Sequence, residues 1–437
     1  MANIHHLMAP LVGAALLASC GGEPAPTPAP APAPAPAPVA APEPPPEPEV
    51  VTKPEGPMAA ILMVQAQFAA GAKPMPAKLT IWRTDGKGNW WDEILEDDTS
   101  NVFHKAVGYK GGILTIAAGQ RPDPKKPSLD GRLVHWTPDG DGWKADVVWS
   151  QSWDGKFNRL RDFEIGDLDG DGKEEVAIAT HDEGVVAVAD LGDDGKWTVS
   201  EYDQKKDTFV HEVEIGDVDH DGKKEFYVTP SARNKASGES QPGGVARYDF
   251  KDGKYVKSPV VWWEESHAKE ILVADTNGDG KDELYVVKEG HVVKDGKKTK
   301  LVDPVKIIRL DKEGKGYKEV EVASIPDKQC RFLVPGDVDH DGKVDLVAAG
   351  YESGLWLLSG KADGTFENKL IDKNSGGFEH ATHVADLNGD GKAEIYVAAD
   401  KQKEFREYLW NGTDFDRSVI DDLPDRHITW NLQDAKL

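Results

Sequence analysis

Five short segments of this 437-residue chain repeat one acidic pattern, D-x-[DN]-x-D-G-x-x-[DE]. When a chain curls around one point, acidic side chains at positions 1, 3 and 5 converge on it, and glycine at position 6 permits the sharp turn. The backbone carbonyl of the lysine at position 7 and the acid at position 9 would complete a shell of oxygen ligands. The candidate metal ligands are Asp167, Asp169, Asp171, Lys173 and Glu175; Asp217, Asp219, Asp221, Lys223 and Glu225; Asp275, Asn277, Asp279, Lys281 and Glu283; Asp337, Asp339, Asp341, Lys343 and Asp345; and Asp386, Asn388, Asp390, Lys392 and Glu394.

This donor set favours Ca²⁺ over other ions. Ca²⁺ takes about six to eight oxygen ligands, whereas Mg²⁺ demands fewer protein ligands and a stricter octahedron. Soft metals would require Cys or His, which these positions lack. One copy alone could be an Asp/Gly-rich turn, but repetition in one context predicts about five Ca²⁺ sites. Asn277 and Asn388 each replace an Asp, which removes a charge and is expected to weaken those two sites.

Alternating apolar runs flank every acidic loop, such as EVAIAT after the first and EIYVA after the fifth. A period of two, rich in Val, Ile and Tyr, places each loop between two β-strands. A second repeat is a polar, Gly-containing turn that leads into an aromatic residue, which is a β-hairpin signal. The seven turns are Asp85-Gly86 to Trp90, Asp139-Gly140 to Trp143, Asp194-Gly195 to Trp197, Asp252-Gly253 to Tyr255, Glu313-Gly314 to Tyr317, Asp363-Gly364 to Phe366 and Asn411-Gly412 to Phe415.

Each complete unit therefore contains four strands, in the order strand, acidic loop, strand, longer loop, strand, hairpin, strand. Four-stranded units repeated radially predict an all-β, seven-bladed β-propeller over residues 58–437. The first complete unit, about 103–150, has Tyr-Lys-Gly-Gly at 109–112 in place of the acids, so we expect no calcium there. The end of the chain, 427–433, has the pattern of an inner strand without a blade. We predict that it closes the ring by joining strands from residues 58–95.

The repeats resemble the FG-GAP/VCBS repeat family, whose members fold as integrin-α-like β-propellers with Ca²⁺ in D-x-D-x-D-G loops. The resemblance covers roughly residues 100–435 and implies that the family's metal ligands fall on the five acidic loops. The family includes adhesins, lectin-like modules and some polysaccharide lyases, so the fold does not choose among these functions.

The start of the chain has the features of an export signal. Residues 7–19 form an apolar stretch that is too short to span a bilayer but has the length of a signal-peptide core. The segment Leu17-Ala18-Ser19-Cys20-Gly21 resembles a bacterial lipobox, which implies a signal peptide over 1–19, lipidation of Cys20 and, from Gly21, an outer-membrane destination. The absence of Lys and Arg from the first ten residues departs from that pattern.

Residues 20–57 are expected to form a tether behind the lipidated cysteine. Pro and Ala dominate residues 23–50, and such a composition favours extended polyproline II rather than a packed core. No later segment is apolar enough to cross a membrane, so the predicted membrane contact is through the lipid alone.

The overall charge limits the partners. The chain has 77 Asp and Glu against 52 Lys and Arg, for a formal net charge of −25, which disfavours nucleic acid. Yet a cationic residue or a histidine stands six positions before each acidic loop, where the inner strand should begin beside the central channel. A local basic field there would attract an anion such as a uronate or sulfated glycan. The candidate ligand-binding residues are Arg161, His211, Lys269, Arg331 and His380.

The alternative is a purely structural role, in which these side chains form ion pairs with the neighbouring Asp162, Glu212 and Glu270 and are solvated at the rim of the channel. The leading functional hypothesis is a lipid-anchored, monomeric, calcium-stabilised propeller that binds a glycan or a protein partner. The second hypothesis is a polysaccharide lyase, and the third is a structural component of the envelope. For the lyase, the candidates are His211 or His380 as base, Tyr351 as acid, and Arg161 or Arg331 as carboxylate clamp.

Overall fold

A computed structural model describes residues 51–119, 128–153 and 158–437. The predicted signal peptide, Cys20 and most of the tether lie outside the described residues, as do three loop cations, Arg121, Lys125 and Lys126. The described part consists of strands, turns and irregular segments and contains no helix, so it holds no helix that could cross a membrane.

The strands form seven antiparallel blades, as the sequence predicts. Blade 1 begins with β1 (Ala59–Ala69), β2 (Lys73–Pro74), β3 (Ala77–Thr84) and β4 (Trp90–Asp97). Blade 2 contains β5 (Val102–Tyr109), β6 (Gly112–Ala118), β7 (Gly131–Asp139) and β8 (Gly142–Gln151). Blade 3 contains β9 (Leu160–Gly166), β10 (Glu175–Thr180), β11 (Val186–Leu191) and β12 (Trp197–Asp203). Blade 4 contains β13 (Thr208–Gly216), β14 (Glu225–Ala232), β15 (Gly243–Lys251) and β16 (Lys254–Trp263).

Blade 5 is the only one of the seven with an inserted hairpin among the described residues. It contains β17 (Ala268–Ala274), β18 (Glu283–Lys288), the inserted β19 (His291–Asp295) and β20 (Lys298–Asp303), then β21 (Val305–Glu313) and β22 (Gly316–Ile325). Blade 6 contains β23 (Cys330–Gly336), β24 (Asp345–Gly350), β25 (Leu355–Gly360) and β26 (Phe366–Asp372). Blade 7 contains β27 (Thr382–Ala385), β28 (Glu394–Ala399), β29 (Glu404–Trp410) and β30 (Phe415–Asp422).

The last strand, β31 (His427–Lys436), closes the ring. It pairs antiparallel with β1, from Ala59 opposite Lys436 to Gln67 opposite His427, so the predicted closure is confirmed. The innermost strands contact one another in the cyclic order β31, β5, β9, β13, β17, β23, β27 and back to β31. Because blade 1 contains both ends of the propeller, opening the ring requires breaking this ladder.

The hydrophobic core lies between neighbouring blades. The second strand of a blade, such as β10 or β28, is buried along its whole length, whereas the outermost strand, such as β12, is largely exposed. One core cluster joins Ala177 and Val188 of blade 3 to Val213 and Phe226 of blade 4. Burying both faces of the middle strands explains why their sequences are nearly continuous apolar runs.

Most of the innermost strands pair irregularly with the next strand of their blade near the point where they begin. In β5, β9, β17 and β31, the ladder to the next strand skips one residue, namely His104, Arg161, Lys269 and Trp430 respectively. In β13 and β23 it skips two, including His211 and Arg331. A β-bulge re-aims the side chain of its extra residue. Six of the seven blades thus present a bulged residue where the innermost strand begins.

Candidate functional site

The five acidic loops bring carboxylates together as the sequence predicts. In each loop, three carboxylate groups offer oxygens that lie within 4.8 Å of one another. Each loop connects the first and second strands of blades 3 to 7. The clustered residues are Asp167, Asp169 and Glu175; Asp217, Asp219 and Glu225; Asp275, Asp279 and Glu283; Asp337, Asp339 and Asp345; and Asp386, Asp390 and Glu394.

Backbone hydrogen bonds curl each loop around its acids. In the first loop, the Gly172 N–H donates to Asp167 at 3.1 Å, and the Leu168 N–H donates to Glu175 at 2.8 Å. The other four loops repeat both bonds. Gly172 has a φ of 86°, in the left-handed region that favours glycine. Position 4 is also left-handed, with His220 at 60°, a requirement that the sequence analysis did not identify.

Burial raises the pKa of carboxyl groups at loop position 9. It raises the pKa of Glu175, Glu225 and Glu394 to about 7 and that of Asp345 to about 6. Acids nearby also disfavour their ionisation, such as Asp169 for Glu175. Clustered oxygen donors with excess negative charge fit a hard divalent cation such as Ca²⁺.

The two Asn-containing loops differ from the other three. Asn277 donates to Glu283 at 2.5 Å and Asn388 donates to Glu394 at 2.7 Å, so each amide holds the position 9 carboxylate. In these loops position 5 completes the acidic group, whereas in the other three position 3 does. The predicted ligands Asp171, Asp221 and Asp341 lie outside the 4.8 Å groups, so the structure does not bring all predicted acids of those loops together.

A basic cavity of about 270 Å³, here called the mouth pocket, is built at the start of the innermost strands. The bulged residues Arg161, His211, Lys269 and Arg331 all line it. Loops between second and third strands add His181 and Arg233. The other lining residues are His104, Arg159, Asp182, Phe209, Asn234, Phe378, Glu379 and Trp430.

His380, the fifth predicted residue, does not line the mouth pocket. It is fully buried, with Nδ1 2.8 Å from the Gly350 carbonyl oxygen and Nε2 2.7 Å from the Ser375 hydroxyl. In blade 7 the chain turns at His380, where φ is 61°, and β27 begins only at Thr382 without a bulge. Its neighbour Glu379 lines the cavity instead, and no spacing rule identified it.

Three arginines of the mouth pocket lie over aromatic rings. The Cζ atom of Arg161 is 5.1 Å from the ring centroid of Trp430, and that of Arg331 is 4.4 Å from the centroid of Phe378. Arg233 lies 5.4 Å from Phe209 in the same way. Such stacking holds the guanidinium plane while its edge remains available for hydrogen bonds.

Two carboxylates partly neutralise the cations. Glu379 is buried and accepts hydrogen bonds from Arg161, at 3.3 Å, and from Arg331. Arg159 donates two hydrogen bonds to Asp182, at 2.7 and 2.9 Å. Burial opposes the ionisation of Asp182, but the hydrogen bonds and the positive charge of Arg159 outweigh it, and the pKa of that carboxyl is lowered.

Lys269 differs from these arginines because it has no such partner. It is 5% exposed and forms no ion pair within 4 Å among the described residues, although the charges of Glu289 and Glu379 act on it from a greater distance. Burial, with the nearby positive charge of Arg331, lowers the pKa of Lys269 to about 7. The predicted pairing with neighbouring acids therefore fails at Lys269, although Arg161 does lie 3.9 Å from Glu212.

The histidines around the mouth pocket are held neutral. Burial, assisted by Arg159, lowers the pKa of His181 to about 3, and burial places the pKa of His211 well below its usual value. Tyr351, the proposed acid of a lyase, does not line the pocket, and its ring instead contacts Lys328 and Lys401. The geometry thus does not assemble His380 and Tyr351 with the arginines.

Below the mouth pocket, the channel is acidic. A second cavity of about 270 Å³ is lined by Asp162, Glu164, Glu212, Glu214 and Glu270, together with a cation from blade 2. That cation, Lys105, pairs with Asp162 at 3.0 Å and with Glu164. Burial and the neighbouring acids raise the pKa of Glu212, Glu214 and Glu270. An anion is therefore favoured at the mouth and disfavoured deeper in the channel.

Comparisons with known proteins agree with this architecture. Residues 167–228 and 337–397 match the FG-GAP-like repeat family, and each match spans two acidic loops. No curated protein sequence matches the chain.

Solved structures also resemble it. A putative 6-phosphogluconolactonase from Bacteroides fragilis is 12% identical with a TM-score of 0.54, and the alignment covers 86% of this chain and 98% of that one. A putative 6-phosphogluconolactonase from Bacteroides uniformis, also 12% identical, gives a TM-score of 0.55 over 86% and 99%. A protein from Lactobacillus plantarum gives 0.56 at 11% identity over 87% and 100%. At these identities the likeness shows the fold alone. The chain is a seven-bladed β-propeller that carries FG-GAP-like repeats.

Proposed function

We propose that this propeller is a binding module whose mouth pocket takes an anionic group of a glycan or of an acidic protein partner. The observation that carries the proposal is Lys269, a buried amine that lines the pocket and forms no ion pair within 4 Å among the described residues. Burying a cation is costly unless it is paired, so an incoming carboxylate or sulfate would supply the missing partner. Arg161 and Arg331 supply fixed guanidinium donors beside it.

The test is calorimetric titration of the protein with glucuronate and with sodium sulfate, with glucose as the neutral control. We expect heat from both anions and none from glucose. Absence of binding by both anions at low ionic strength would overturn the proposal, because screening is then weakest.

We propose further that Ca²⁺ occupies the five acidic loops and stabilises the blades that carry them. The support is the clustered all-oxygen donor set and its repetition in five consecutive blades. When bound, the ion would offset the repulsion among the acids of each loop. Because an ion held only by the native state raises stability, the metal would strengthen the propeller without taking part in ligand binding.

The geometry supports binding over eliminative cleavage of a glycan. A base must be able to reach a proton on the substrate, and both ring nitrogens of His380 are already hydrogen-bonded within the fold. His211 remains as the only predicted base in the pocket. A scan of uronate-containing glycans for the absorbance of an unsaturated product tests this alternative directly, and a signal that His211→Ala removes would favour a lyase.

Export and lipid anchoring remain proposals that rest on the sequence of residues 1–57. Labelling cells that express the protein with an alkyne-bearing fatty acid tests them. We expect incorporation into the wild-type chain and none into a Cys20→Ser variant; equal labelling of the two would remove the lipid anchor from the account. A glycan array, together with a pull-down, would separate a glycan receptor from a purely structural envelope component.

A further inference from the structure

A third cavity, distinct from the acidic one in the channel, lies beside the mouth pocket and shares a wall with it. This cavity, here called the side pocket, has a volume of about 290 Å³. Asn234, Lys269, Arg331 and Phe378 line both cavities. Each cavity alone lies just below the roughly 300–1,000 Å³ of typical ligand sites, whereas the two together fall inside that range. A ligand that enters both must pass the exposed ring of Phe378.

The side pocket is chemically different from the mouth pocket. Its wall carries the amide and hydroxyl side chains of Ser240, Gln241, Gln329 and Thr299, and its additional charged residues include both signs: Lys235, Lys328, Glu239 and Glu289. Amide and hydroxyl groups recognise neutral, hydrogen-bonding parts of a ligand.

Among the described residues, three buried side-chain atoms of this wall have no hydrogen-bond partner: His267 Nδ1, Glu289 Oε1 and Arg331 Nε. Glu289 Oε1 and Arg331 Nε form an ion pair at 3.8 Å, whereas His267, which is 4% exposed, has no partner at Nδ1. The Gln241 amide nitrogen lies 3.2 Å from His267 Nε2 and can only donate, so Nε2 accepts. Burial keeps the His267 ring neutral by placing its pKa well below the usual value. The proton of this neutral ring is therefore on Nδ1, which is an unpaired donor.

The wall thus offers one unpaired donor, from His267, and one acceptor, Glu289 Oε1, that forms an ion pair with Arg331 but has no hydrogen bond. A buried polar atom without a partner is costly, so these two atoms favour a ligand that supplies both an acceptor and a donor. A sugar hydroxyl supplies both. The exposed Phe378 ring between the cavities offers an apolar face for a sugar ring.

We propose that the two cavities form one site for an acidic oligosaccharide of at least two sugars, with the acid in the mouth pocket and a neutral sugar in the side pocket. The inference rests on the proposed anion-binding function of the mouth pocket and adds the class and minimum length of its ligand.

The test compares three probes by calorimetry: glucuronic acid, a disaccharide of glucuronic acid linked to a neutral sugar, and the neutral disaccharide cellobiose. We expect the acidic disaccharide to bind about tenfold more tightly than glucuronic acid, as one to two added hydrogen bonds would give. Cellobiose should bind much more weakly than either. In a His267→Phe variant, which keeps the ring but removes the donor, this advantage should disappear while the affinity for glucuronic acid is unchanged.

A second variant distinguishes the loss of the side pocket from a folding defect in His267→Phe. Thr299 is exposed on β20 and lines the side pocket, so Thr299→Trp should block this cavity without disturbing the core. It should remove the disaccharide advantage, whereas the matched Thr299→Ser should retain it. Equal affinities of wild-type protein for glucuronic acid and the acidic disaccharide would overturn this inference and leave the mouth pocket intact. Failure of both acids to bind would overturn the proposed function itself.

Discussion

Arg161 of blade 3 donates a hydrogen bond to Glu379 of blade 7 at 3.3 Å, although the two residues are 218 positions apart in the sequence. Glu379 also accepts from Arg331, so one carboxylate holds arginines of two other blades. This contact both joins distant blades and neutralises part of the positive charge of the mouth pocket. Replacing Glu379 should therefore lower the stability of the protein and raise its affinity for anions.

Replacing this carboxylate tests both effects. Glu379→Gln removes the closest anionic partner of both arginines and leaves only Glu212, 3.9 Å from Arg161, and Glu289, 3.8 Å from Arg331, so we expect the free energy of unfolding to fall by about 3 kcal/mol. The affinity for sulfate should rise severalfold, because the pocket gains one net positive charge. Denaturant unfolding and calorimetry measure the two effects, with the exposed Glu367→Gln as a control. A variant that is destabilised but binds sulfate no better would contradict the electrostatic part of the account.

Anion binding should strengthen as the pH falls. The pKa of Lys269 is lowered to about 7 by burial and by Arg331, so the amine gains its charge between about pH 8 and 6. A bound anion favours the charged form, and binding near pH 7 should therefore take up protons. Protonation of Glu289, whose pKa burial raises, would act in the same direction. His181 should not contribute, because its pKa of about 3 lies below this range, and burial likewise holds the pKa of His211 well below its usual value.

Calorimetry at pH 6 and pH 8, in buffers of different ionisation enthalpy, measures this effect. Lys269→Met should remove most of the pH dependence. The lowered pKa of Lys269 also makes the stability of the protein depend on pH. Because the pKa in the folded state lies below that of an ordinary lysine, the contribution of this group to stability is greatest above about pH 10.5 and falls as the pH decreases toward 7. An affinity that is constant between pH 6 and pH 8 would show that Lys269 does not contact the anion.

The closure of the ring depends on a buried threonine of β31. The Thr429 hydroxyl donates to Asp400 of blade 7 at 2.8 Å and accepts from Gln65 of β1 at 3.2 Å. Thr429→Val keeps the shape of the side chain but leaves the buried Gln65 amide nitrogen without its partner and removes one of the hydrogen bonds that Asp400 accepts, so we expect a loss of about 1–3 kcal/mol. Denaturant unfolding of this variant beside the exposed Thr198→Val measures the loss. Equal midpoints for the two variants would contradict the role of this contact in closure.

Calcium should raise the melting temperature. At a Ca²⁺ concentration 100 times its Kd, each occupied loop would add about 2.7 kcal/mol to the free energy of unfolding. Asn277→Asp should enlarge the calcium-dependent increment by restoring the charge of a typical loop, and Glu225→Gln should reduce it. Melting curves in excess Ca²⁺ and in chelator measure the increment. The same melting midpoint in excess Ca²⁺ and in chelator would contradict the proposal that the loops bind Ca²⁺.

Local spacing made much of the fold predictable. The seven Gly-containing turns lie between the third and fourth strands of their blades, where the hairpin pattern placed them, and 427–433 forms the predicted closing strand. The β19–β20 hairpin was missed, although Asp295-Gly296 is a turn signal between two alternating runs. The four-strand pattern predicts only a longer loop at this point of the blade.

The site was predictable only in part. Counting six residues back from each acidic loop identified Arg161, His211, Lys269 and Arg331, because four blades share that spacing. The count failed at His380, since the first strand of blade 7 starts later and has no bulge. Glu379 and the stacking of Trp430 under Arg161 depend on contacts between distant blades, which no local pattern encodes.

The most direct test of the central claim is calorimetric titration of glucuronate into wild-type protein, Lys269→Met and the exposed control Lys254→Met. The account predicts that Lys269→Met weakens binding by about tenfold or more, because a charge-assisted contact is lost, while Lys254→Met matches the wild type. The melting temperature of Lys269→Met without ligand should not fall, because the replaced amine has no partner to lose. Equal glucuronate affinities for wild type and a folded Lys269→Met would contradict the account.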